Sequence, residues 1–377
     1  MAEAPFTLAI LDENLDLLRQ KLDLVRFPDE LENASWDYGV PLEDIKRLVK
    51  RWKDGFDWRA SEASINSFPQ FTRDVEIEGF GPGHCMEVCK LLPLLTTPAT
   101  DGPSFHVVAF SLPGFGFSEA PTKPGFSINQ YSDVGHKLML SLGYNEYVGQ
   151  GGDWAYHILH RQVQFYGGTH VKAWHTNFPY AAQPTLTSGP LIYLKSLLKP
   201  YSARDKQGFE RSKWFLEKGF GYQAEQATKP QTIGYSLADS PVGLLAWIYE
   251  KLVDWSDNYP WTDDEVLTWV STYWFSRAGP AASIRIYYEY TQRGERSKSK
   301  WSSTPFGASF FPKEIHCAPP YWAGSLGNLK FTSIHESGGH FAAHEKPEAL
   351  ADDLRKMFGV GGPAFGVVSG KTGYLAS

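Results

Sequence analysis

Apolar residues in the first seventy positions recur at helical spacing. Leu15, Leu18, Leu22 and Val25 fall 3, 4 and 3 apart, and Asp12 stands where a helix cap belongs. Pro41 then opens a second helix, with Glu43 and Asp44 at the positive end of its dipole and an apolar stripe of Ile45, Leu48, Val49 and Trp52. Each helix has a single apolar face, so this segment must lie against something larger. From Phe105 the period changes. Residues 105–110, Phe-His-Val-Val-Ala-Phe, read as a buried strand ended by Ser-Leu-Pro-Gly-Phe-Gly. Residues 129–143 read as helix. Tyr147 and Val148 lead into Gly-Gln-Gly-Gly-Asp153, followed by a helix over 154–165 and an extended run over 171–175. That succession is a βαβ unit of a parallel sheet.

Residues from about Tyr180 to Arg293 break the alternation with aromatic, helix-like stretches around Trp214, Trp247, Trp255 and Trp269. A helical block inside an α/β alternation predicts an inserted cap. Strands return at 307–311 and 329–334. A last helix over 347–358 carries Leu350, Leu354 and Met357, stops at Gly359 and precedes a small polar tail expected to fray. The expected domains are 1–76, helical; 77–179 and 301–377, the two parts of the α/β core; and 180–300, the cap.

Composition narrows the partners. With 15% aromatic and 42% hydrophobic residues among 377, a disordered chain is excluded. The formal charge is −6 and the basic residues are scattered, which argues against nucleic acid. No apolar run approaches the roughly 20 residues that span a bilayer, and the N-terminus lacks a secretory pattern, so the expectation is a soluble, cytoplasmic protein. Cys85, Cys89 and Cys317 are too few and too scattered for a zinc site and are expected to pack as small buried hydrophobes.

The sharpest local feature is Gly151-Gly-Asp153-Trp-Ala155. A nucleophile on a strained strand-to-helix turn crowds the residues two before and two after it, and here those are Gly and Ala. A carboxylate at that position needs no base and can attack carbon to form an ester. The plainer alternative is that Asp153 only caps the following helix. Glu336-Ser-Gly-Gly-His340 follows one strand and Phe311-Pro-Lys-Glu314 the strand before it. Alone, His340 is an ordinary loop or core histidine and Glu314 a surface charge. Together Asp153, Glu314 and His340 come in the order nucleophile, acid, base, each after a predicted strand, which is the order of α/β-hydrolase triads.

With these residues in view, the chain resembles the microsomal-type epoxide hydrolases in their soluble fungal or bacterial form. Arg26-Phe-Pro-Asp-Glu30, Trp36-Asp-Tyr-Gly-Val40 and Phe68-Pro-Gln-Phe71 resemble that family's N-terminal segment. Ser111-Leu-Pro-Gly-Phe-Gly-Phe-Ser118, Gln150-Gly-Gly-Asp-Trp154 and Gly338-Gly-His-Phe-Ala-Ala-His-Glu345 resemble its core motifs. The resemblance implies an α/β-hydrolase fold with Asp153 as nucleophile, His340 as water-activating base and Glu314 as the acid that orients it. It also implies that Tyr222 and Tyr287 hydrogen-bond the epoxide oxygen, on Gly219-Phe-Gly-Tyr222 and Ile284-Arg-Ile-Tyr287; packing is the plain reading of any tyrosine. Neither metal nor organic cofactor is implied. The implied partners are a small hydrophobic epoxide and water, with a homodimer left open.

One departure stands out. The family has strands and a His-Gly-Trp-Pro turn, a source of backbone donors, before the helix that begins near Glu87. This chain passes from Val75-Glu-Ile-Glu-Gly-Phe80 directly to Gly81-Pro-Gly-His-Cys-Met-Glu87. The expectation is a truncated sheet with unpaired backbone groups beside the site, a weakened fold and a damaged oxyanion site. Two rival readings are a haloalkane dehalogenase, with Trp154 donating to substrate halide, and a vestigial protein that binds apolar ligands without turnover.

Overall fold

The computed structural model describes residues 3–75, 87–98, 102–187, 189–295 and 300–374. The stretch from Glu76 to Met86, which includes Cys85 and the shortened turn, lies outside them. Two short strands, β1 (Ala4–Pro5) and β2 (Phe71–Thr72), pair antiparallel and close the N-terminal segment on itself. Between them run α1 (Asp12–Asp23), α2 (Leu42–Asp54) and α3 (Trp58–Asn66). Asp12 is the first residue of α1 and Leu11 is its cap, so Asp12 faces the helix dipole without capping. Pro41 likewise caps α2 from just outside it.

The expected larger body for these helices is the cap. Leu15, Leu18 and Leu22 of α1 and Leu48, Val49 and Trp52 of α2 share one buried cluster with residues of α11 (Pro241–Asp254) and α12 (Asp263–Trp274). Leu48, Leu245 and Leu267 are wholly buried there. At its rim Arg51 grips Asp264 through two hydrogen bonds of 2.8 Å.

Among the described residues the core sheet has four parallel strands in the order β3 (Tyr147–Gln150), β4 (Val171–Thr176), β5 (Ser302–Phe310), β6 (Gly327–Ile334). The β3–α6–β4 unit, with α6 at Asp153–Tyr166, is the expected βαβ, and α5 (Ile128–Ser141) packs beside α6. Trp174 lies opposite Phe306 in register, their rings stacked at 4.1 Å, and both are fully buried. Between β4 and β5 come helices from α7 (Pro190–Leu198) through α13 (Arg285–Gln292), including α9 (Gly221–Thr228). On the other face of the sheet, α4 (Leu91–Thr96) packs with α15 (Pro347–Phe358). Beneath β5 and β6 runs a buried polar chain from His175 to Ser309 (3.0 Å), Ser309 to Asp353 (2.5 Å) and Asp353 to His335 (2.6 Å).

Three further expectations need correction. Residues 105–110 are not a sheet strand. Their side chains alternate as a strand's do, Phe105 and Val107 toward the α4–α15 side and Val108 and Phe110 toward α5. No neighbouring strand among the described residues supplies the ladder. The tail is docked up to Tyr374: Ser104 donates its N–H to Gly373, and the Tyr374 hydroxyl accepts from Val360 N–H. Cys89 and Cys317 are half-buried rather than core residues. Among the described residues no helix is long and apolar enough to cross a membrane, and no group of His, Cys, Asp and Glu could hold a metal.

Candidate active site

β3 ends at Gln150 and α6 begins at Asp153, leaving two residues for a sharp reversal. The reversal forces Asp153 to a φ of +46°, the left-handed region that side chains avoid. A Cβ on Gly151 would lie 2.6 Å from that of Ala155, and one on Gly152 would meet the Asn177 amide at 2.8 Å. Only glycines admit this turn, which is why the small residues flank Asp153. Its carboxylate sits at the N-terminus of α6 and accepts the Trp154 backbone N–H.

The loop after β6 brings His340 to Asp153, a contact that helix capping does not need. His340 Nε2 lies 3.2 Å from Asp153 Oδ2, and Nδ1 lies 2.6 Å from Glu314 Oε1. Two further contacts fix this arrangement. The His340 backbone N–H donates to the Trp255 carbonyl at 2.8 Å, and the Glu314 carboxylate accepts the Ile315 N–H at 2.6 Å. Trp255 and Phe178 close edge-on against the imidazole, with centroids 5.1 and 5.6 Å away. Glu314 is only 2% exposed, so it is no surface charge.

Electrostatics tie the three groups together. Burial alone would lower His340, but the Glu314 charge and the hydrogen bonds its ring donates to both carboxylates outweigh it and raise the imidazole well above its ordinary value. Burial would raise Asp153, yet the hydrogen bond and charge of His340 hold it below the ordinary carboxylate value. Both shifts favour the charged pair of His340 imidazolium and Asp153 carboxylate. Tyr222 on α9 and Tyr287 on α13 face the same cavity, rings 5.8 Å apart, and Trp154 packs edge-on against Tyr287 at 4.8 Å. Burial raises both phenols far above their usual value, with Tyr287 adding to Tyr222 and the Asp153 charge adding to Tyr287. They stay protonated and can donate.

All six residues singled out from the sequence thus line or adjoin one cavity of about 860 Å³. Sequence reasoning missed Glu87, an accessible residue on the cavity wall. The surrounding protein and the nearby Asp153 charge raise its carboxyl above the ordinary value. It also missed the Trp255 carbonyl, because a backbone acceptor carries no residue signature.

Comparison with known proteins bears on the family of the chain as a whole. Residues 3–98 match the family profile of the epoxide hydrolase N terminus. Epoxide hydrolase 1 of Sus scrofa is 32% identical over 405 aligned positions, covering 94% of this chain and 88% of that relative. Those positions outnumber the 377 residues here, so the relative carries segments that this chain lacks. The solved Aspergillus niger epoxide hydrolase is 34% identical, with a TM-score of 0.78 over 94% of this chain and 95% of that one. The juvenile hormone epoxide hydrolase of the silkworm Bombyx mori is 26% identical, with a TM-score of 0.82 over 94% and 93% of the two chains. On sequence and fold together, the chain belongs to the epoxide hydrolases of the α/β-hydrolase superfamily.

Proposed function

We propose that this chain hydrolyses epoxides to vicinal diols through an ester on Asp153. The observation that carries the reading is the line Asp153–His340–Glu314, with two protonated phenols across the cavity. Asp153 attacks a ring carbon, and the carbon–oxygen bond breaks while Tyr222 and Tyr287 donate hydrogen bonds to the departing oxygen. Ester formation abolishes the Asp153 charge, one of the two that raise His340, so the imidazole loses its hold on its proton. That proton balances the one taken up by the alkoxide. The neutral His340 then deprotonates a water, which attacks the Asp153 carbonyl carbon and releases the diol and the imidazolium.

The largely apolar cavity fits a hydrophobic substrate. Trp154 Nε1 is buried and, among the described residues, its contact with the Tyr287 hydroxyl falls short of a well-formed hydrogen bond, the one feature on the side of halide release. The phenol pair favours the epoxide. A single turnover of styrene oxide in ¹⁸O-water tests the scheme: label is expected in the Asp153 carboxyl group and an unlabelled diol leaves first. Label that goes directly into the diol, with none in Asp153, would reject the ester.

The pH dependence follows from the two shifts. Asp153 lies below its ordinary value and stays ionised, and the tyrosines stay protonated, so kcat/KM is expected to be flat between about pH 5 and 8. Ester hydrolysis needs neutral His340, now raised by Glu314 alone. Falling pH should therefore lower kcat while kcat/KM holds, with ester building up. The two constants falling together through one ionisation would contradict this.

A further inference from the structure

The cavity extends well past the catalytic residues, along a slot in the sheet. One flank is the extended segment of residues 105–111 and the other is β3. Leu91, Leu95, Leu354 and Phe358 roof the slot, and Met139 and Ile158 are on its floor. Both flanks present open backbone edges. Among the described residues, the N–H and C=O groups of Val107–Phe110 have no backbone partner. Among the described residues β3 pairs only with β4, leaving its other edge toward the slot. Val148, Gly149 and Gln150 are half-exposed where the next strand inward is almost wholly buried.

The backbone groups along these flanks are accessible to water, and an open strand edge of this kind is a template on which a further strand can pair. Both flanks also run the same way. Residue 111 leads to Gly116, whose carbonyl accepts the N–H of Arg277 from the cap region, and β3 leads to Asp153 beneath the same cap. An occupant that satisfies both edges must be an extended chain parallel to each, with apolar side chains above and below. No small apolar molecule could make that double ladder. The alignment described above, longer than this chain, is consistent with a segment missing from it.

We infer that the slot between residues 105–111 and β3 is a binding site for an extended apolar peptide strand of about five residues, taken up by completing the sheet from both edges. The inference concerns backbone pairing and does not rest on epoxide chemistry, so the two fail separately. The test is amide hydrogen exchange on the intact chain, alone and with the peptide acetyl-Lys-Val-Val-Leu-Leu-Val-Lys-amide. Slowing of at least about tenfold is expected in the Val107–Phe110 and Val148–Gln150 amides that face the slot. The same peptide with alternate amides N-methylated keeps its apolar side chains but loses donors, and should slow nothing. Three results would overturn the inference: no slowing at saturating peptide, equal slowing by the methylated peptide, or slot amides already protected without peptide. Diol formation measured in the same samples reports on the catalytic reading independently.

Discussion

Asp153→Asn is expected to lower kcat by about 10⁴-fold or more, the scale seen when a catalytic nucleophile is removed. Asparagine is the informative replacement for a structural reason. It is nearly isosteric and tolerates the left-handed backbone at this position, so the strained turn survives. Its amide is a poor nucleophile, and no ester should appear by mass spectrometry after epoxide is added. His340 would lose one of its two carboxylates yet keep Glu314 at 2.6 Å, so its pKa should fall without collapse of the pair. The thermal midpoint should change little. A variant with near-normal diol formation and no reversion to aspartate would remove Asp153 from the mechanism.

His340→Gln separates the two chemical steps. Alkylation requires the Asp153 carboxylate and the phenols, both untouched, whereas hydrolysis requires a base at the position of Nε2, 3.2 Å from Asp153. Glutamine retains hydrogen-bonding capacity but cannot take the proton. The expected result is a stoichiometric burst followed by turnover slower by about 10³-fold or more. The intact mass should rise by that of one epoxide, and peptide mapping should place it on Asp153. An unmodified variant that nevertheless binds the epoxide would contradict the assigned order of events.

Much of this was legible in the chain because it is encoded locally. The stripes of α1 and α2, the βαβ unit and the Gly-Gly-Asp-Trp-Ala turn each follow from spacing within a dozen or so residues. The order of Asp153, Glu314 and His340 added a long-range clue, and the structure brings the three within hydrogen-bonding distance. Residues 105–110 show the limit. Alternation and β-branching describe a strand, but a ladder needs a neighbour, and pairing is a property of two segments. Tyr222 and Tyr287 were visible only through family resemblance, since α9 and α13 carry no spacing that separates them from packing tyrosines. The Trp255 carbonyl was missed because it joins elements remote in sequence and a backbone acceptor has no residue signature.

The packing of the N-terminal helices on the cap has a consequence during synthesis. α1 to α3 leave the ribosome well before the cap helices they pack on, carrying the apolar residues Leu15, Leu48 and Trp52. Their docking surface on α11 and α12 begins only at Pro241. At bacterial or eukaryotic elongation rates that wait is on the order of ten seconds or longer, during which those stripes have no native cover. Early helices of this kind should engage chaperones on the nascent chain, and the second half of the cap is the event that releases them.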